Sequence, residues 1–323
     1  MGKKLVSIFV AVCAFALVGA LAGCSSNASS AEDGSAPAMR IGTMQTEDAL
    51  PFWIAQQEGL YDAEGVSVDI VTFQSAQELS AAFASGDIDA AMTDVQTAAT
   101  LKASGTDVSL AWVTLGADAS QGRFGIMTSP ESGITSLADL AGTPIGVGSN
   151  TVPEYVMDRL MEKAGVPDDQ IVKEEIKKLP VRFESMTNNQ VAAAALPGSL
   201  LALGESSGMV LLADDSQGDN ISQSVLAVRA DWASSEGADA LSKASAAWDA
   251  AVDRVNADPE SYRSLLVESA NLPAPVAETY RISTYPKAST PAAAMVQPVL
   301  DWMLEKGYLS SAMAYDESTG AFS

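Results

Sequence analysis

The chain has 323 residues, 47% hydrophobic and 18% charged, with a net charge of −23; it is globular, and nucleic acid and anionic lipid would repel it. Histidine is absent, which removes His-based acid–base catalysis, serine-type triads and histidine metal sites together. The only cysteines are Cys13 and Cys24, so no disulfide is available beyond residue 24 and the core must supply stability alone.

Lys3 and Lys4 precede an apolar run that starts at Leu5 and closes on Leu21-Ala22-Gly23-Cys24. A basic start, an apolar segment and small residues make an export signal. The Leu-Ala-Gly-Cys ending resembles the lipobox of bacterial lipoproteins, which implies diacylation of Cys24 and removal of residues 1–23. An uncleaved anchor is the alternative, because about 19 apolar residues approach the ~20 that span a bilayer. The leader holds two lysines and no acid, so the mature polypeptide carries −25. Residues 24–37 are small and polar and read as a flexible tether.

Order begins with a strand at Met39–Met44, followed by a helix from Pro51 to Glu58 that Gly59 stops. Val66–Val71 alternates apolar and polar residues, the period of a strand. A helix at Ala76–Ala84, a strand at Ile88–Met92, a helix at Gln96–Ala103 and a strand at Val108–Leu115 follow. The alternation predicts an α/β domain with a largely parallel sheet. The plan then repeats. Strands are expected at Phe124–Met127, Pro144–Gly148, Val172–Leu179 and Val191–Leu196. Helices are expected at Leu137–Gly142, Val152–Ala164 and Arg182–Thr187. Beyond Trp232 the pattern turns helical, at Ala238–Val255, Pro259–Ser269, Pro275–Tyr280 and Pro291–Lys306. This tail is expected to pack on a lobe, with Trp232, Trp248 and Trp302 as packing residues.

Ligands of open α/β sheets bind beyond the carboxyl ends of strands, where helix N-termini present free N–H groups. That rule selects Thr43 and Gln45 after the first strand, with Phe52 in the helix beyond. It selects Gln74 and Ser75 after the second strand, and Thr93 and Asp94 after the third. In the middle of the chain it selects Ser149, Asn150 and Thr151 behind Gly148, and Pro197. Most of these types are also natural N-caps. Asp94 either pairs with a cationic amine or caps the helix near Gln96, and the cap is preferred. Arg123 either contacts an anionic ligand or forms a structural ion pair. Phe52 either stacks on a ligand or joins the core beside Pro51. Arg182 stands in a helix's first turn against the dipole and reads as solvated. Asp87/Asp89, Asp168/Asp169 and Asp214/Asp215 fall at turns and read as solvated. No phosphate loop, dinucleotide fingerprint or calcium loop is present. No catalytic residue, metal or cofactor is assigned.

Leu50-Pro51-Phe52-Trp53-Ile54-Ala55-Gln56-Gln57-Glu58-Gly59-Leu60-Tyr61 and Ser85-Gly86-Asp87-Ile88-Asp89-Ala90-Ala91 resemble segments of the nitrate/sulfonate/taurine and thiamine-precursor group of substrate-binding proteins. So do Thr135 to Val147, Leu179-Pro180-Val181-Arg182 and Ala195-Leu196-Pro197, in the same order. The resemblance implies a type 2 periplasmic-binding fold: two α/β lobes that close by a hinge, with the helical tail packed on lobe one. Lobe one would comprise 38–125 and 225–323, and lobe two 126–224. It implies a monomeric, lipid-anchored extracytoplasmic protein that hands a small molecule to an ABC permease with its cytoplasmic ATPase. A sensory lipoprotein without transport is the alternative, and a carboxylate-dependent enzyme ranks below both. A related thiamine-precursor synthase is disfavoured, because such enzymes need histidine and cysteines that are missing here. Ala192 stands where relatives often carry an acid, and Gly198-Ser199 replaces an acid or aromatic. A sulfonate-like anion suits the helix N-termini plus Arg123 and is preferred; a pyrimidine-like heterocycle suits Phe52 with amide and hydroxyl donors.

Overall fold

A computed structural model describes residues 38–323 apart from Gln217; the leader, Cys24 and the tether lie outside them. Strand β1 (Met39–Met44) buries Met39, Ile41 and Thr43 completely, as a central strand covered on both faces must. It pairs in parallel with β2 (Val68–Phe73) and β3 (Ala90–Asp94). Helices α1 (Leu50–Gln57), α2 (Leu60–Ala63), α3 (Ala76–Ser85) and α4 (Val95–Ala103) make the crossovers. Pro51 fits the first turn of α1, where its missing N–H costs nothing, and Gly59 ends the helix at φ +65°. Strand β4 (Val108–Leu115) lies farther along the same sheet.

The chain then builds a second sheet from β5 (Phe124–Thr128), β6 (Ile145–Val147), β7 (Lys173–Glu175), β8 (Ala193–Pro197) and β9 (Val210–Asp214). Its order is β7-β6-β8-β5-β9, with helices α5 (Val152–Lys163), α6 (Leu179–Thr187) and α7 (Gly198–Ser206) between strands. Strand β10 (Ser224–Arg229) returns to the first sheet, antiparallel between β3 and β4. The tail contributes α8 (Ala230–Ala233), α9 (Ala238–Ala257), α10 (Arg263–Ser269) and α11 (Ala293–Glu305). A short pair, β11 (Tyr315–Asp316) and β12 (Ala321–Phe322), extends the first sheet beside β4.

The tail covers both faces of the first sheet. Helix α9 lies on α1, where Phe52, Trp112 and Trp248 meet with ring centroids 4.5–6.3 Å apart. Helix α11 lies on α4, and Trp302 there is fully buried. Tyr155, which belongs to α5 of the second lobe, joins this same cluster 5.2 Å edge-on to Trp302. Below Tyr155 a polar network continues the contact. Trp302 Nε1 donates to Asp158 at 2.9 Å, Tyr308 Oη donates to Glu154 at 2.8 Å, and Lys173 Nζ bonds both carboxylates at 2.6 and 2.9 Å.

The two connections between sheets, residues 116–123 and 218–223, run against each other. Gly116 has φ +88°, and a Cβ there would stand 2.0 Å from the carbonyl oxygen of Ser222; only glycine permits this approach. Asn220 Nδ2 donates to Gly116 O at 2.8 Å, and Phe124 N donates to Asp215 at 2.8 Å. The divisions expected at 125/126 and 224/225 fall inside β5 and β10, so the changeover lies earlier, in these connections. The strand expected over Val172–Leu179 shrinks to Lys173–Glu175, because Pro180 opens α6. The helix expected over Pro275–Tyr280 is one tight turn, Ala274–Val276. Among the described residues no helix is long and apolar enough to cross a membrane.

Candidate functional site

The carboxyl ends of the parallel strands of both sheets face a common cavity of about 270 Å³ beside the two connections. Its first-lobe wall holds Gln45 and Thr46 after β1, Gln74 and Ser75 after β2, and Thr93 and Asp94 at the end of β3. Its second-lobe wall holds Thr151 at the start of α5, Arg182 in α6, and Pro197 and Ser199 at the start of α7. Each side chain is thus set at or just beyond a strand end or near the start of a helix.

Gln45, Gln74, Ser75, Thr93, Asp94, Arg123, Thr151 and Pro197 all line this cavity. Ser75 caps α3, accepting from Glu78 N at 3.2 Å, and Asp94 caps α4, accepting from Thr97 N at 2.7 Å. Four expected ligand residues are elsewhere. Thr43 is fully buried beneath the wall, its hydroxyl turned to Met44 O at 2.9 Å. Phe52 is 1% exposed and packs on Trp248, since its position on α1 faces the helical tail. Ser149 is exposed and bonded to Glu175. Asn150 adopts φ 57° and donates to Thr100 Oγ1 at 2.7 Å, bridging to α4 of the first lobe.

Arg123 lines the cavity and also makes structural ion pairs. Its guanidinium forms a fork with Glu205 at 3.0 Å on both nitrogens and a further bond to Asp214. These carboxylates hold its pKa above the ordinary arginine value against the opposing effect of burial. Arg182 is buried, not solvated: it is 2% exposed and donates to Ile176 O at 2.8 Å and Ala195 O at 3.0 Å. Burial lowers its pKa to about 10, so it remains charged at neutral pH. Gly148 makes room for it, since a Cβ there would meet Nη2 at 2.6 Å.

The sequence reading passed over Glu47 and Asp48, which line the cavity between β1 and α1. Glu47 accepts from Tyr280 Oη at 2.8 Å. Asp48 is bonded to Thr46, and Asp94 also accepts from Val152 N of α5 at 3.3 Å. Burial raises the pKa of Glu47, Asp48 and Asp94 alike, and the charge of Asp48 adds to the effect on Glu47. Two adjacent acids at a strand-to-helix junction, followed by Ala49 and Leu50, were the available signal. Asp215 also departs from its solvated reading. It is 5% exposed, and burial pushes its pKa up to about 6.

These shifts fix a pH dependence. A carboxyl that binds its proton more tightly when folded stabilises the fold below its unfolded pKa, and that contribution is lost as pH rises through the folded value. The opposite group, Asp139 and Asp316, has lowered pKa values through local hydrogen bonds and stays ionised above about pH 5. Unfolding midpoints in urea are therefore expected to fall between pH 4.5 and 7.5. Asp215 alone accounts for at most about 3 kcal/mol, the equivalent of roughly two pH units. Asp215→Asn should flatten that slope; a slope unchanged by the substitution would show that Asp215 titrates normally.

Among the described residues no group of three or more His, Cys, Asp and Glu is arranged to hold a metal ion. The cavity offers amides, hydroxyls, carboxylates and guanidinium N–H donors, a set suited to orienting a small molecule.

The structure is similar to that of the periplasmic aliphatic sulphonate binding protein SsuA from Escherichia coli, with TM-score 0.71 and 19% identity. That match covers 90% of this chain and 93% of that one. It is similar to the alkanesulfonate-binding protein SsuA from Xanthomonas axonopodis pv. citri bound to MOPS, with TM-score 0.70, 20% identity and coverage of 86% and 96%. The periplasmic nitrate-binding protein NrtA from Synechocystis PCC 6803 matches with TM-score 0.67, 14% identity and coverage of 85% and 82%. At such identities the likeness is one of fold: two α/β lobes of the periplasmic-binding type. No curated protein matches the chain in sequence. The model of the NMT1/THI5-like family, however, matches residues 46–262, well over half of the chain, and the protein belongs to that family.

Proposed function

We propose that this protein is the solute-binding component of an ABC-type importer. It works outside the cytoplasm, tethered through lipid on Cys24, takes a small organic molecule between its lobes, and presents it to a permease. The observation that carries the reading is the cavity of about 270 Å³ walled by loops from both sheets and set beside the two connections. Rotation about those connections opens and closes it, so only the closed form makes all contacts and a ligand shifts the population towards closure. Fold neighbours whose names state sulfonate or nitrate binding support the reading. So does a site supplied with orienting groups but no nucleophile–base pair. Gln45, Gln74, Ser75, Thr93, Asp94, Thr151 and Pro197 are the ligand contacts of this proposal.

Native mass spectrometry of the purified protein tests it. The expected result is a small molecule that co-purifies, is released unaltered on denaturation, and raises the unfolding midpoint when added back. Chemical turnover of the released compound, or a protein that binds nothing, would overturn the proposal.

A further inference from the structure

Three carboxylates in one cavity wall have no cation bonded to them, and this bears on what the cavity takes. Glu47 is 9% exposed and faces the cavity, and its side-chain partner is the neutral donor Tyr280 Oη. Asp48 adjoins it, and Asp94 lies on the same wall. Uncompensated carboxylates held out of water are costly, and their mutual repulsion adds to the cost. Such an arrangement inside a ligand cavity marks a candidate functional site.

One position where an anion would be held is already filled by the protein. The first turn of α5 donates Val152 N to Asp94 at 3.3 Å. Helix N-termini are natural anion sites, and that of α5 is met by a side-chain carboxylate from the opposite lobe. Arg123 is neutralised by Glu205 and Asp214. Arg182 is pinned to the carbonyls of Ile176, Lys177 and Ala195, and Lys177 is solvent-exposed. Arg182 keeps its charge on the second-lobe wall and Lys177 stands at the rim, so among the described residues the first-lobe carboxylates are the negative charges of the cavity with no cation bonded to them.

We infer that the solute carries a cationic nitrogen, an ammonium or amidinium, seated against Asp48 with Glu47 and Asp94 around it. This rests on the solute-binding reading and names the ligand's chemistry.

Calorimetric titration of the full chain with benzylammonium and benzamidinium, against ethanesulfonate and benzenesulfonate, tests the inference. The cations are expected to bind and the sulfonates not to. Asp48→Asn should weaken the cations at least tenfold while leaving the urea midpoint near that of the parent. The compound released by acid should be retained on a cation-exchange resin. Cation binding unmoved by Asp48→Asn would be surface attraction to an acidic chain, and would overturn the inference. Sulfonate binding with no cation binding, or release of an anionic compound, would overturn it and leave the solute-binding reading intact. Silence from every probe, with nothing released, would remove the solute-binding reading and this inference with it.

Discussion

Trp302→Ala is expected to lower the unfolding free energy by about 3–5 kcal/mol, the range for removing a fully buried aromatic. The side chain has no exposure, and it touches both lobes. Its ring packs edge-on to Tyr155 of α5 and lies 5.5 Å from Tyr308. Its Nε1 donates to Asp158, whose side chain is itself fully buried. The substitution therefore opens a cavity and strips a donor from a buried carboxylate. Urea denaturation followed by far-UV circular dichroism measures the loss. Trp302→Phe separates the two effects: it keeps most of the volume, and should recover about half of the stability while leaving the loss of one hydrogen bond to a charged group, about 1.5–3 kcal/mol. A loss below about 1 kcal/mol for Trp302→Ala would mean that α11 does not pack against α5.

Lys173→Met is the second large effect. Glu154 and Asp158 have no exposed side-chain surface, and Lys173 bridges them. Burial alone would lower the lysine's pKa, but the two carboxylates reverse that and raise it. Removing one partner of a buried ionic cluster costs about 3–5 kcal/mol, because the remaining charges stay buried without compensation. Tyr308 still donates to Glu154, and Lys306 stands 3.8 Å from Asp158, which places the expected loss at the lower end. Adding Glu154→Gln and Asp158→Asn to Lys173→Met should restore part of it. Equal stability of the single and triple variants would show that the buried charges need no lysine.

The order of strands from β1 to β8 and the main helices were legible because they rest on local signals, whereas β9 to β12 were not expected. Pro51 and Gly59 bracket α1, Ser75 and Gly86 bracket α3, and alternation marks β2. The cavity's wall was legible in part for the same reason, since strand-end positions such as Gln74, Ser75, Thr93 and Asp94 follow from topology. What failed depends on facing. Phe52 and Thr43 sit one side chain away from the cavity, and only the packing of α9 on α1 and the pleat of β1 decide their direction. Arg182 was judged by the dipole of its own helix. What holds it are carbonyls from β8 and from the segment ahead of α6, thirteen residues away in one case. The acids Glu47 and Asp48 carried no motif, and Glu47 is held by Tyr280 and Tyr285, which no local pattern links to it.

The bridge from Asn150 to Thr100 has a practical consequence. Residues 38–323 contain no thiol, so cysteines introduced at these two positions would be the only labelling sites in the folded part. Dyes attached there would report the separation of α4 from the second lobe directly, turning the breathing of the molecule into an optical signal.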